Sequence, residues 1–242
     1  MTGGGSITSH SVLAMDDRIA AVIADLRQHA DPRYRDDLAR RYGIIAPTAL
    51  GVRMTEIKAI AKRLKRDHPL ALALWGSDIY EARLLVSLIA DPALTTPETM
   101  DAWRADFDNW ALCDTLCFNL FDRTPHALDK IRDWSRLNDE FGRRAAFALL
   151  ASVALHDRKA PDGPFLDSLP LIEAAATDPR NFVKKGVSWA LRAIGERNVA
   201  LNRAATGLAE RLAASDERTE RWIGKDALKS LTGPKLKAKF GL

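Results

Sequence analysis

Phe141-Gly142-Arg143-Arg144-Ala145-Ala146, Phe182-Val183-Lys184-Lys185-Gly186-Val187 and Trp222-Ile223-Gly224-Lys225-Asp226-Ala227 are three versions of one pattern. An aromatic is followed three residues later by a cation, in similar apolar surroundings. The aromatics stand 41 and 40 residues apart. That is the period of a stacked two-helix unit, which cannot enclose its own apolar face and must bury it against a neighbour. Upstream, Tyr80 with Arg83 and Trp110 with Cys113 read as more diverged copies at closer spacing.

Outward from these segments, apolar residues keep helical intervals: Ile19, Ile23 and Leu26; Ile57, Ile60, Ala61 and Leu64; Leu84, Leu85, Leu88 and Ile89. Strand alternation is absent. Asp31-Pro32, Asp91-Pro92, Thr96-Pro97-Glu98, Thr124-Pro125 and Asp178-Pro179 read as helix boundaries. The expected fold is all-α, a HEAT-like helical-repeat solenoid occupying 12–242 as one domain. Ordered structure is expected to begin near Val12, after a flexible Gly/Ser/Thr-rich leader over 1–11. The stretch from Asp157 to Pro164 is the best loop.

Stacked repeats bring equivalent positions into a row, so Arg83, Arg144, Lys185 and Lys225 could line a concave, positively charged groove suited to a phosphate backbone. The competing reading has these cations capping helices or pairing with Asp and Glu on adjacent turns, and the residues alone slightly favour it.

The 242 residues are 47% hydrophobic, enough for a continuous core. No stretch approaches the roughly 20 apolar residues of a membrane span, and the first residues lack a signal-peptide pattern, so the expectation is a cytoplasmic, monomeric protein. A balance of 36 basic to 32 acidic residues gives only +4, which does not by itself announce a nucleic-acid partner. Basic residues concentrate in the tail, at Lys225, Lys229, Lys235, Lys237 and Lys239. Cys113 and Cys117 share a helix face but supply no disulfide framework. No His lies nearby to complete a zinc site or activate a thiol, so neither a metal nor cysteine chemistry is expected.

In Asp106-Phe107-Asp108-Asn109-Trp110-Ala111-Leu112-Cys113-Asp114, an indole and a carboxylate four residues apart project from one helix face. This pair resembles the catalytic helix of the AlkD family of DNA glycosylases. Phe141 to Phe147 is similar to that family's arginine-bearing helix, and Lys184 to Arg192, with Trp189, to the helix carrying its second tryptophan. Ala39-Arg40-Arg41-Tyr42 followed by Ala49 to Arg53 is similar to its tyrosine-bearing N-terminal stretch. The similarity runs from about Leu38 to the last helices. The family's tryptophan is often preceded by another aromatic; here Asn109 precedes it.

The resemblance implies a cofactor-free, monofunctional glycosylase that excises cationic purines, such as 3-methyladenine and 7-methylguanine, from double-stranded DNA while leaving the base in the duplex. It would be nucleoid-associated when bound. Asp114 would be catalytic, its charge stabilising an oxocarbenium-like sugar. Trp110 would act beside it, and Trp189 would attract the cationic nucleotide. Arg144 would hold a phosphate, a role for which Arg143 competes, and Tyr42, Arg83, Lys185 and Lys225 would contact DNA. A base already carrying positive charge leaves readily, so no strong general acid is required. Trp103, Trp134 and Trp222 are assigned to packing. The alternative is a non-catalytic HEAT-repeat module that binds DNA or another protein.

Overall fold

The structure, a computed structural model, describes residues 7–241, with side-chain surroundings from residue 14 onward. Every regular element among these residues is helical. The chain divides into two compact units, one ending at Thr95 and one beginning at Thr96. The first holds α1 (Ile7–Gln28), α2 (Pro32–Tyr42), α3 (Met54–Leu64), α4 (His68–Trp75) and α5 (Tyr80–Ile89). The second holds α6 (Pro97–Ala105), α7 (Trp110–Asn119), α8 (Ala127–Trp134), α9 (Glu140–His156), α10 (Gly163–Leu166), α11 (Leu169–Ala175), α12 (Asn181–Gly195), α13 (Val199–Ala213), α14 (Arg218–Leu231) and α15 (Pro234–Phe240). Helix α1 starts at Ile7, ahead of the expected Val12; the remainder of the proposed leader, 1–6, lies outside the described residues.

Local chemistry sets several boundaries. Asp31 caps α2 by accepting from the Arg33 and Tyr34 amides, with Pro32 in the first turn where its missing N–H leaves no bond unmade. Thr96 caps α6 by accepting from Thr99 N. Asp91-Pro92 and Thr124-Pro125 belong to turns instead, where the Asp91 carboxylate accepts from Ala93 N. The expected loop holds from Asp157 to Asp162, and Gly163 and Pro164 already belong to α10.

In the first unit, α5 packs against α1, α3 and α4. Its Glu81 is fully buried and accepts from three backbone amides, Leu50 (2.9 Å), Gly51 (2.7 Å) and Val52 (3.2 Å). One carboxylate thereby holds the last part of the connection into α3, Leu50 to Val52. Gly51 has φ +86°, and a Cβ there would lie 2.2 Å from the Asp31 carbonyl oxygen, so this turn requires glycine.

In the second unit the later helix of each pair forms a row: α7 packs on α9, α9 on α12, and α12 on α14. Helices α8, α11 and α13 flank that row. Helix α9 is its spine, buried continuously from Arg144 to Ala154. Trp134 anchors α8, its rim covered by Phe121 and its Nε1 donating to Asp101 Oδ1 at 2.7 Å. Trp103 and Trp134 are core residues, as expected, but Trp222 is not: 38% of it is exposed, with the Lys184 ammonium 5.0 Å from its ring centre. Helices α13 and α14 approach so closely that a Cβ on Gly224 would fall 2.2 Å from Ala213 N.

Candidate functional site

Asn109 supplies the first constraint on the site. Its side chain accepts from Leu112 N at 3.0 Å and caps α7, which a second aromatic before Trp110 could not do. The cap fixes where α7 begins, and so fixes the face on which Trp110 and Asp114 project. Both are half-buried. On the same side of α7, turned towards α9, Cys113 and Cys117 are buried free thiols that donate to the carbonyls of Phe141 (3.7 Å) and Ala145 (3.6 Å). Burial pushes the Cys117 thiol well above its ordinary value, which suits packing rather than nucleophilic chemistry.

Arg144 reaches Asp114 from α9 as a fork, with Nε on Oδ1 at 2.8 Å and Nη2 on Oδ2 at 2.6 Å. Its remaining nitrogen, Nη1, donates to the Phe182 carbonyl at 2.7 Å, while the guanidinium carbon lies 5.9 Å from the Phe182 ring centre. One arginine therefore ties α7, α9 and α12 together. The sequence reading had this guanidinium on a DNA phosphate; in the structure it is buried and its donor groups are directed at Asp114 and Phe182. Arg143 is no more available, since it donates to Asp178 at 2.8 Å.

Burial is the larger influence on Asp114 and raises its carboxyl above the ordinary value, with the Arg144 charge and hydrogen bonds opposing it. Arg144 in turn is pushed up by Asp114, against desolvation. Both carboxylate oxygens accept, at 2.6–2.8 Å, from a guanidinium that does not give up its proton in proteins, so the fork favours the ionised carboxylate that burial opposes. The Asp114 side chain keeps 19% of its surface exposed, against 8% for Arg144. Each carboxylate oxygen accepts one bond from Arg144 and retains a second lone pair.

The internal repeat has a direct structural meaning. Cys113 and Arg144 are equivalent positions, and each donates to the carbonyl of the aromatic near the start of the next helix in the row, Phe141 or Phe182. The Phe141 and Phe182 rings themselves meet at 5.3 Å. Beyond Arg144, the equivalent Lys185 and Lys225 are exposed. Trp189 is half-buried and lies one turn beyond Lys185 on the same face of α12. In the first unit, Arg83 is paired with Asp78 at 3.1 Å and sits over Trp75, as the adjacent-turn reading anticipated. Tyr42 ends α2 with 49% of its surface exposed, not packed between helices. The proposed row of four similar cations is thus uneven: Arg83 and Arg144 are engaged by carboxylates, whereas Lys185 and Lys225 face solvent.

Asp178 was read only as helix punctuation, yet it is a second buried carboxylate beside this row. It accepts from Arg143 and from Arg180 Nε (2.9 Å), and those bonds hold its carboxyl down to about 2. Arg180 also donates to the Asn138 carbonyl at 2.6 Å, and Glu140 accepts from Phe182 N at 3.2 Å. Apart from the local Asp178–Arg180 pair, no motif marked these partners, because the Arg143–Asp178, Arg180–Asn138 and Glu140–Phe182 pairings each cross a whole repeat. Within the Asp106–Asp114 run itself, nothing announced that Arg144 would be the partner of Asp114.

Comparison with known proteins converges on this architecture. The family described as DNA alkylation repair enzyme matches residues 22–231. A solved structure described as "a new family of proteins related to the HEAT-like repeat DNA glycosylases with affinity for branched DNA structures" superposes with a TM-score of 0.72 at 19% identity, covering 86% of this chain and 93% of that one. No curated protein sequence matches the chain. The all-α, HEAT-like repeat fold is the one expected from the 41- and 40-residue spacing.

Proposed function

Because the chain belongs to the DNA alkylation repair enzyme family, we propose that it is a monofunctional DNA glycosylase that removes cationic alkylated purines, of the 3-methyladenine and 7-methylguanine type, from duplex DNA. The observation that carries this reading is Asp114: an ionised carboxylate held rigidly by a two-pronged arginine, still open to solvent, and one helical turn from an indole.

In this reading the glycosidic C–N bond breaks heterolytically and its electron pair neutralises the departing base. Positive charge develops on the sugar, where the free lone pairs of Asp114 stabilise it and orient a water for addition at the anomeric carbon. Water supplies the hydroxyl of the abasic site, and its proton returns to solvent. Trp110 and Trp189 present electron-rich faces to the cationic nucleotide, each worth about 0.5–2 kcal/mol. Lys185 and Lys225 bind phosphates, with Tyr42 as a further DNA contact. Arg144 positions Asp114 instead of gripping the backbone. The base stays in the duplex, no cofactor takes part, and the protein acts as a cytoplasmic monomer on the nucleoid.

One observation favours a second reading, a non-catalytic DNA-binding module. The Arg144 charge that orders Asp114 also cancels much of its field at the sugar, and the structural relative above is described by its affinity for branched DNA.

Incubation with duplex DNA containing 7-methylguanine separates the two. The glycosylase reading expects free base and abasic sites, with Asp114→Asn abolishing release while DNA affinity stays within a few-fold of wild type. Release that survives Asp114→Asn removes Asp114 from the chemistry. Absence of release from the wild type, together with tighter binding to a four-way junction than to linear duplex, selects the binding module.

A further inference from the structure

Alongside α13, towards α14 and α15, lies a cavity of about 400 Å³ lined by Val199, Arg203, Thr206, Gly207, Leu231 and Lys237 among others. That volume falls in the range of small-molecule sites, roughly 300–1,000 Å³. Part of its wall is fixed: Asn202, also in the lining, donates through its amide nitrogen to the Gly195 (3.1 Å) and Leu231 (3.2 Å) carbonyls.

Two features of this hollow have no packing explanation. Gly207 lies inside α13, where glycine is a poor helix former, yet a Cβ built on it would meet no heavy atom within 4 Å. Gly224 differs, since the close approach of α13 forbids it a side chain; Gly207 excludes only what would otherwise fill the hollow. Arg203 and Lys237 are exposed and form no ion pair among the described residues. Neighbouring arginines are engaged: Arg197 donates to the Ala154, Asp157 and Ala160 carbonyls, and Arg211 pairs with Glu173 at 3.1 Å. The acid in the lining, Glu210, lies about 10 Å along the helix axis from Arg203 at 1.5 Å per residue. The partly apolar hollow thus has two cations in its lining, with Arg203 about two helical turns from the acid Glu210.

We propose that this cavity binds a small amphipathic anion. Its apolar body lies over Val199, Gly207 and Leu231, and one carboxylate, sulfonate or phosphate group sits between Arg203 and Lys237, away from Glu210. The site is independent of Asp114 and does not require the glycosylase reading.

The probe is 8-anilinonaphthalene-1-sulfonate, titrated into the full chain by fluorescence and calorimetry, with neutral N-phenyl-1-naphthylamine as control. The expected result is saturable one-to-one binding of the sulfonate. Gly207→Leu fills the hollow while improving helix propensity, and weakens both probes by at least about tenfold. Arg203→Gln with Lys237→Gln, at exposed positions that leave the fold intact, weakens the sulfonate by about tenfold and leaves the neutral probe unchanged. Binding that does not saturate overturns the proposal. So does sulfonate affinity that neither variant alters.

Discussion

Arg144 grips Asp114 through two parallel hydrogen bonds, 2.8 and 2.6 Å long, and so sets both the direction and the charge of the carboxylate on which the proposed chemistry depends. Removing the guanidinium leaves a largely buried negative charge without a partner. Arg144→Met should cost about 2–4 kcal/mol in urea unfolding, somewhat below a fully buried pair because Asp114 is partly exposed. The added Asp114→Leu change should recover most of that loss. Equal stability of the two variants would show that the uncompensated charge is not the cause.

The same pair predicts a pH dependence of base release. Burial already raises the Asp114 carboxyl, and only the ionised form stabilises a positive sugar, so activity should fall as pH drops through that raised value. Arg144→Met should move the acid limb of the profile to higher pH. An unmoved limb would assign the titration to another group.

Asp178 acts in the opposite direction. Its carboxyl is held at about 2 in the folded protein, against an ordinary 3.8. Its ion-pair stabilisation is therefore complete above about pH 4 and is lost as pH falls towards 2. The loss should be about 1–2 kcal/mol after screening through the partly exposed arginines. Asp178→Asn should flatten this part of the stability curve, measured as the urea midpoint against pH. A wild-type slope retained by the variant would contradict the assignment.

In the first unit, Glu81→Ala would strand the amides of Leu50, Gly51 and Val52. A loss of about 3–5 kcal/mol is expected, with faster hydrogen exchange at those amides. Glu81→Gln should cost less, since one acceptor oxygen remains. A near-neutral Glu81→Ala would mean that water can replace the carboxylate.

For DNA, Lys185→Gln with Lys225→Gln should reduce the slope of log affinity against log salt by about 0.9 for each phosphate that is no longer neutralised. Arg83→Gln should leave the slope unchanged, because its side chain is already paired with Asp78. A slope indifferent to both lysines would place the DNA elsewhere.

Much of this architecture was readable in the sequence because it rests on periodicity. The spacing of Phe141, Phe182 and Trp222 reports the helix row, and the four-residue step from Trp110 to Asp114 reports a shared face. Pairing across repeats was hidden for the same reason: periodicity says which positions are equivalent, not which donor faces which acceptor. Arg144 could therefore be placed in the site while its partner, Asp114, and its third acceptor, the Phe182 carbonyl, went unread. Trp222 was misplaced because an indole can cover a surface cation as readily as fill a core. Glu81 gave no signal, since the amides it accepts from lie in an irregular segment.

The close approach of α13 and α14 at Gly224 bears on mechanical endurance. With no side chain between the two backbones, there is no compliant layer to absorb displacement, and sliding one helix past the other would force main-chain atoms into collision. Pulled along their axes, these helices should resist shear as a latch does, separating abruptly rather than creeping apart.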